Sequence, residues 1–115
     1  MIIVTGGAGC IGSAIVWALN KRGIKDIILV DGVDHPEKKK NIALLNYFAL
    51  EGKEIFLDRI KNIKIPWSID AIIHLGGCSS TIERNESFLT KTNFDYTRCL
   101  ATYALNKDIR FIYAS

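Results

Sequence analysis

Four glycines stand close together near the start of the chain, in the segment VTGGAGCIG. The segment fits Gly-x-Gly-x-x-Gly from Gly7, or Gly-x-x-Gly-x-x-Gly from Gly6, and both patterns pass through Gly9 to Gly12. Glycine permits a tight turn, close approach of a pyrophosphate to the backbone, and close packing of a helix on a strand. Amide groups at the start of that helix would face the anion. The loop therefore predicts a phosphate-binding turn, against the alternative of a plain glycine-rich connection.

An acidic residue stands where the sugar beside such a phosphate would lie. Asp31 ends the apolar segment DIILVD and follows Gly12 at the separation of about 20 residues that the dinucleotide fingerprint has. A carboxylate at this place accepts from the ribose 2′-hydroxyl of NAD and repels the additional phosphate of NADP. The glycine turn, the strand before it and Asp31 together predict dinucleotide binding.

Nearby lysines favour the opposite choice of dinucleotide. Lys38, Lys39 and Lys40 follow Asp31 in the chain, and Lys53 could approach from the next segment. Cations at these positions would attract a 2′-phosphate, whereas a solvated surface run is the alternative interpretation. Residue types alone therefore leave NAD and NADP equally supported.

The elements that position these residues alternate between strands and helices. Apolar runs predict strands at residues 1–5, 26–31, 44–48, 69–75 and 110–115. Apolar residues at helical spacing are Ile11, Ala14, Ile15, Ala18 and Leu19 in the first helix, Ile55, Phe56, Leu57 and Ile60 in the second, and Phe88, Thr92, Tyr96, Leu100 and Tyr103 in the third. A polar loop is predicted through Pro36 and the lysines. This alternation predicts an α/β fold with a doubly wound parallel sheet of about five strands.

The segment HLGGCSST follows the fourth predicted strand, at the edge where open α/β sheets bind ligands. His74 is interpreted as a hydrogen-bonded structural residue in preference to an acid or base. Ser79, Ser80 and Thr81 could bond to a cofactor or substrate, or could cap the following helix. Both interpretations of these hydroxyl groups remain open.

Composition excludes several other classes of protein. The chain has 115 residues, a formal net charge of +3 and no apolar run of membrane-spanning length. Cys10, Cys78 and Cys99 lack close spacing, which predicts neither a disulfide framework nor a zinc site, and Cys10 is interpreted as a gap-filling residue. We expect one globular domain in a reducing cytoplasm, without a broad nucleic-acid surface.

The segments VTGGAGCIGS, ILVD, DAIIHLGGCSST and FIYAS together resemble the extended short-chain dehydrogenase/reductase family of NAD-dependent epimerases and dehydratases. The run GGCSSTIER and the ending IRFIYAS resemble, within that family, the amino-terminal part of the ADP-glyceromanno-heptose 6-epimerases. The resemblance implies a Rossmann-type domain over residues 1–115, with an incomplete sheet and a substrate domain in a carboxyl-terminal half outside this sequence. It further implies NADP, a nucleotide-sugar substrate inverted at heptose C6 for lipopolysaccharide, and a homo-oligomer. The alternatives are another epimerase or dehydratase of the family, or a non-catalytic dinucleotide-binding module.

The resemblance also carries cofactor roles to particular residues. Added to the loop residues Gly6, Gly9 and Gly12, the expected contacts are Cys10, Ile11, Asp31, Gly32, Lys38, Lys53, Leu75, Gly76, Gly77, Cys78, Ser79 and Asn93. The two lysines among them, Lys38 and Lys53, imply NADP.

Departures from the family's usual residues are also visible. They are Cys10 in place of phenylalanine, Gly32 in place of a larger residue, and the pair Ala49 and Leu50 where many relatives carry an adenine-binding aspartate after the third strand. The family's catalytic serine or threonine and its Tyr-x-x-x-Lys pair would lie beyond Ser115. Tyr103 and Lys107 match that spacing but precede the fifth predicted strand, so we expect no catalytic residue here and no activity from the chain alone.

Overall fold

The computed structural model describes residues 1–32, 35–75 and 86–114, and the side chains of residues 86–94 lie outside that description. The described elements are β1 (Ile2–Thr5), α1 (Cys10–Lys21), β2 (Ile27–Val30), α2 (Pro36–Ile42), β3 (Ala49–Glu51), α3 (Lys53–Lys61), β4 (Ala71–His74), α4 (Glu86–Asn106) and β5 (Arg110–Tyr113). The strands form one parallel sheet in the order β3-β2-β1-β4-β5. The predicted α/β fold with a parallel sheet is confirmed.

Successive residues of the central strands pack into two layers, because side chains alternate across a sheet. One cluster joins the sheet to α3 and α4, and the other joins it to α1 and α2. Their buried members are Ile3, Ile28, Val30, Phe56, Ile60, Ile69, Ile72, Tyr96, Leu100 and Ala104 in the first cluster, and Val4, Ala8, Val16, Ile27, Leu29 and Ile42 in the second. The apolar runs of β1 and β2 are those of strands covered on both faces.

The strand order reverses between β1 and β4, which places a crevice at the carboxyl edge of the sheet. The register aligns Thr5 with both Val30 and His74, so these three strands end at the same level. The residues that follow them, Gly6, Asp31 and Leu75, therefore leave the sheet side by side. This edge carries the candidate site.

The structure corrects the sequence prediction between residues 36 and 51. The expected polar loop is the helix α2, where the His35 ring accepts from the Glu37 N–H at 3.4 Å and Pro36 occupies the first turn. The strand predicted at residues 44–48 is wrong, because Leu44 is 95% exposed and the strand that pairs with β2 is β3. Pairing with the sheet, rather than local hydrophobicity, sets the position of β3.

The predicted apolar face of α1 is corrected in part: Leu19 packs against the second cluster as predicted, and Ile15 is half-buried. Ile11, Ala14 and Ala18 are exposed, whereas Gly12 and Val16 are buried. Gly12 lies close to the glycine turn, and Val16, one turn further on, packs in the second cluster. In α4 the predicted stripe is confirmed for Tyr96 and Leu100, which are buried; the side chains of Phe88 and Thr92 lie outside the description.

Candidate functional site

The turn between β1 and α1 is built around a left-handed residue and a close backbone approach. Gly6 has φ of 70°, and its carbonyl accepts from the Gly9 N–H at 3.1 Å. A Cβ atom on Gly12 would lie 2.1 Å from the Gly6 carbonyl oxygen, so the helix start excludes any side chain there. A Cβ on Gly9 would come no nearer than 3.3 Å to that oxygen. The fold therefore requires Gly6 and Gly12, while Gly9 leaves the turn open toward the crevice.

The first turn of α1 presents uncapped amide groups. Gly9 is the N-cap residue, but no side chain bonds to the helix start and no acid lies in the first turn. Cys10 and Ile11 are exposed, and the first amide groups of a helix have no acceptor within it. These amide groups, together with the positive end of the helix dipole, could bind an anion such as a pyrophosphate.

Asp31 ties this turn to the end of β2. Its Oδ2 accepts from the Ala8 N–H at 3.1 Å, and its Oδ1 accepts from the Gly32 N–H at 2.8 Å. On the other side of the turn, the Asn41 amide donates to the Ala8 carbonyl at 2.9 Å. The sequence pattern does not indicate Asn41, because it predicts a polar loop where the structure has α2. The adjacent Ile42, an apolar residue after a polar run, is the signal that could have indicated a helix there.

One of the three consecutive lysines reaches Asp31. The Lys38 Nζ lies 2.8 Å from Asp31 Oδ1, and the side chains are 37% and 12% exposed. Lys39 instead lines a surface groove that contains Lys25, and Lys40 is exposed. The structure thus separates the run, and only Lys38 stands beside the carboxylate.

Lys53 lies at the same edge of the sheet, just after β3. It is the first residue of α3, and its Nζ lies 4.8 Å from the centre of the Tyr96 ring. Tyr96 is 2% exposed, and among the described residues its hydroxyl group has no hydrogen-bond partner. Burial, and secondarily the charge of Asp31, raise the pKa of Tyr96, so the phenol is neutral.

His74 is held inside the fold. Its Nδ1 lies 2.6 Å from Thr5 Oγ1, and its Nε2 lies 2.9 Å from Thr97 Oγ1. Thr5 Oγ1 also accepts from the Leu75 N–H at 3.0 Å, so this hydroxyl group joins the ends of β1 and β4. Burial, followed by the charge of Lys53, lowers the pKa of His74 to about 4. The neutral, bonded ring agrees with the structural interpretation.

Some expected contacts cannot be placed. Gly76, Gly77, Cys78 and Ser79 lie outside the described residues, and Asn93 lies on α4 with its side chain outside the description. Leu75 is described and bonds through its N–H to Thr5, at the nicotinamide side of the crevice expected from the resemblance.

The position compared with the family's adenine-binding aspartate is corrected. Ala49 and Leu50 lie inside β3, so the acid at the end of the third strand is Glu51, which is bonded to Arg59. Tyr103 packs against the buried cluster before β5, so it does not belong to the site. Within the described ranges, no group of three or more candidate ligands could hold a metal ion. In the same ranges, no helix is long and apolar enough to cross a membrane.

Comparison with known proteins gives the same picture over almost the whole chain. Residues 2–115 match the NAD dependent epimerase/dehydratase family. The chain is 44% identical over 115 residues to an ADP-L-glycero-D-manno-heptose-6-epimerase of Nitratidesulfovibrio vulgaris, covering 100% of this chain and 36% of that protein. A protein of the same name from Fusobacterium nucleatum is also 44% identical, and 35% of its length is covered. The chain thus spans about a third of these relatives.

Among solved structures, the chain is similar to a UDP-glucose 4-epimerase from Thermotoga maritima, determined with UDP-glucose. The TM-score is 0.72 at 30% sequence identity, and the match covers 99% of this chain and 37% of that one.

Proposed function

Because the chain belongs to the NAD dependent epimerase/dehydratase family, we propose that it is the NADP-binding part of an enzyme that inverts C6 of ADP-glyceromanno-heptose. The observation that carries the choice of cofactor is the ion pair between Lys38 and Asp31 beside the glycine turn. The name shared by the bacterial relatives supports the choice of substrate.

The charges around Asp31 favour a phosphate on the adjacent ribose. Asp31 Oδ1 already accepts from Lys38 and from the Gly32 N–H, and Oδ2 accepts from the Ala8 N–H, so only one acceptor site, on Oδ2, is left for a ribose hydroxyl. Lys38 also neutralises the carboxylate, which removes the repulsion that an isolated acid would exert on a 2′-phosphate. Lys53, at the start of α3, adds a second cation. Together these groups favour NADP over NAD.

The remaining roles follow from the same proposal. The uncapped start of α1 binds the pyrophosphate, with Gly9, Cys10 and Ile11 against it, and Leu75 with the residues after it borders the nicotinamide. When bound, the cofactor supplies hydride removal at C6 and hydride return to the opposite face. We assign the nucleotide-sugar site and the acid–base groups to a carboxyl-terminal region, as in a homo-oligomeric cytoplasmic enzyme of lipopolysaccharide synthesis.

Calorimetric titration with NADP and NAD tests the cofactor assignment. Lys38→Met should weaken NADP binding about tenfold, since it leaves the Asp31 carboxylate without its cation beside the 2′-phosphate. The dissociation constant for NAD should stay within about twofold of the wild-type value. Lys40→Met, which changes an exposed lysine on the same helix, is the matched control. Equal losses for both dinucleotides, or none, would refute the assignment.

A chimera tests the substrate. Residues 1–115 replace the matched third of the Nitratidesulfovibrio vulgaris relative, and conversion of ADP-D-glycero-D-manno-heptose is followed by NMR. The proposal expects epimerisation by the NADP-loaded chimera and none by the 115-residue chain alone. A folded chimera that binds NADP but leaves the heptose unchanged would contradict it, as would conversion by the chain alone.

A further inference from the structure

Lys53 and Tyr96 form a contact that neither the family match nor the cofactor assignment explains. We propose that Tyr96 is a positioning residue that raises the preference for NADP over NAD, by holding the Lys53 ammonium group beside the ribose 2′-phosphate. The inference rests on the NADP site proposed above and adds a selectivity residue to it. Tyr96 itself makes no contact with the cofactor in this account.

The sheet register places Lys53 next to the ribose position. Val30 pairs with Glu51, and the Asp31 N–H donates to the Glu51 carbonyl at 3.0 Å. Only Gly52 separates Glu51, at the end of β3, from Lys53, at the start of α3. Lys53 therefore lies next to the loop that begins at Asp31. The backbone thus places Lys53 where, on the proposed function, a 2′-phosphate would lie.

Two described acids near this edge are already engaged by other cations. Asp31 is paired with Lys38, and Glu51 is bonded to Arg59. Within the described part of the chain, Lys53 has no carboxylate partner, and its charge lies over the face of the Tyr96 ring instead. The ring is therefore the described group that fixes the position of this ammonium.

An aromatic partner leaves the charge of Lys53 available to the phosphate. A ring face attracts a cation through its quadrupole but has no net charge, whereas a carboxylate partner neutralises the charge of the cation. Lys38 is paired with a carboxylate, and Lys53 is paired with an aromatic ring. Burial keeps the Tyr96 phenol neutral by raising its pKa, which preserves this difference.

The ring can act as a fixed platform because its surroundings hold it. Tyr96 is 2% exposed, and its centre lies 5.4 Å from that of His74. His74 is bonded in turn to Thr5 on β1 and Thr97 on α4. Fixing a flexible lysine before the ligand arrives reduces the conformational entropy lost on binding.

The test measures dissociation constants for NADP and NAD by calorimetry and compares their ratio among variants. Tyr96→Leu should weaken NADP binding about fivefold, because Lys53 would then lose its side-chain freedom only when NADP binds, while NAD binding changes by less than about twofold. Tyr96→Phe keeps the ring and should keep the wild-type ratio. Tyr103→Leu makes the same change two turns away on α4, and it should also keep that ratio.

Two results would overturn the role of Tyr96: an unchanged ratio in Tyr96→Leu, whether or not both dinucleotides bind more weakly, or loss of selectivity in Tyr96→Phe. Failure of the underlying NADP site is distinguishable, because the wild type would then lack a preference for NADP and Lys53→Met would have no effect. If Tyr96→Leu does not fold, NMR of the unmodified protein tests the contact between Lys53 and Tyr96. The ε-methylene protons of Lys53 should resonate upfield through the ring current of Tyr96, and their absence from that region would refute the contact.

Discussion

At the scale of single residues, Asp31 serves both the fold and the candidate site. Its two carboxylate oxygens hold the Ala8 amide in the glycine turn, the Gly32 amide and the Lys38 ammonium. Sequence spacing predicted the position of the acid but not its partners, since Lys38 reaches it only because residues 36–42 form a helix. The same carboxylate therefore shapes the turn and sets the local charge.

His74 should make stability depend on pH. The folded protein holds the pKa of His74 at about 4, whereas the ordinary value is 6.5. Between these values the unfolded chain takes up a proton that the folded protein does not. Stability should therefore be complete above pH 6.5 and fall by about 3 kcal/mol as the pH drops toward 4.

Urea unfolding at several pH values measures this effect. His74→Gln should remove most of the slope between pH 6.5 and 4, and His35→Gln, which changes the exposed second histidine, should retain it. A wild type with constant stability across that window would show that the ring is not kept neutral by the fold.

Two glycines of the turn should respond differently to alanine. Gly12→Ala should destabilise the fold by about 3 kcal/mol, because the added Cβ would lie 2.1 Å from the Gly6 carbonyl oxygen. Gly9→Ala should cost less than about 1 kcal/mol, since φ is −75° and the nearest atom would be 3.3 Å away. The dinucleotide affinity of Gly9→Ala should nevertheless fall by about tenfold or more, because the added methyl group would keep the pyrophosphate away from the backbone.

Urea unfolding and calorimetry on both variants separate these effects. Gly23→Ala is a useful reference, because φ of 82° strains an alanine there far from the site. Full dinucleotide affinity in Gly9→Ala would mean that the pyrophosphate does not approach this turn.

At the scale of elements, the sequence predicts best where a local pattern and the sheet demand the same structure. The aliphatic runs of β1 and β2 and the glycine turn were placed correctly because buried parallel strands and tight turns require those residue types. The segment between Pro36 and Glu51 was not, because α2 is only seven residues long with one buried residue. For β3, a more apolar neighbouring run was preferred over three residues that the sheet selects by pairing.

The buried face of α1 gives a prediction about packing. Val16→Ala should destabilise the fold by about 2 kcal/mol, since Val16 is fully buried against the sheet. Ile11→Ala should change stability by less than about 0.5 kcal/mol, because Ile11 is 69% exposed. Thermal and urea unfolding of both variants measure the difference. The reverse order of the two losses would restore the face predicted from the sequence.

At the scale of the whole molecule, the sheet order brings distant parts of the chain to one edge. The turn at Gly6, the acid at Asp31 and the loop at Leu75 lie together because β1, β2 and β4 end at the same level. This assembly was predictable from the alternation of strands and helices. The contact of Lys53 with Tyr96 was not, because it depends on how α3 and α4 pack together.

Amide NMR during titration with NADP tests the central claim that this edge binds the dinucleotide. We expect the largest shifts at Gly9, Cys10, Ile11 and Gly32. The surface groove near Lys25 should stay unchanged. Shifts centred on that groove, or a folded protein whose glycine turn does not respond to saturating NADP, would contradict the account.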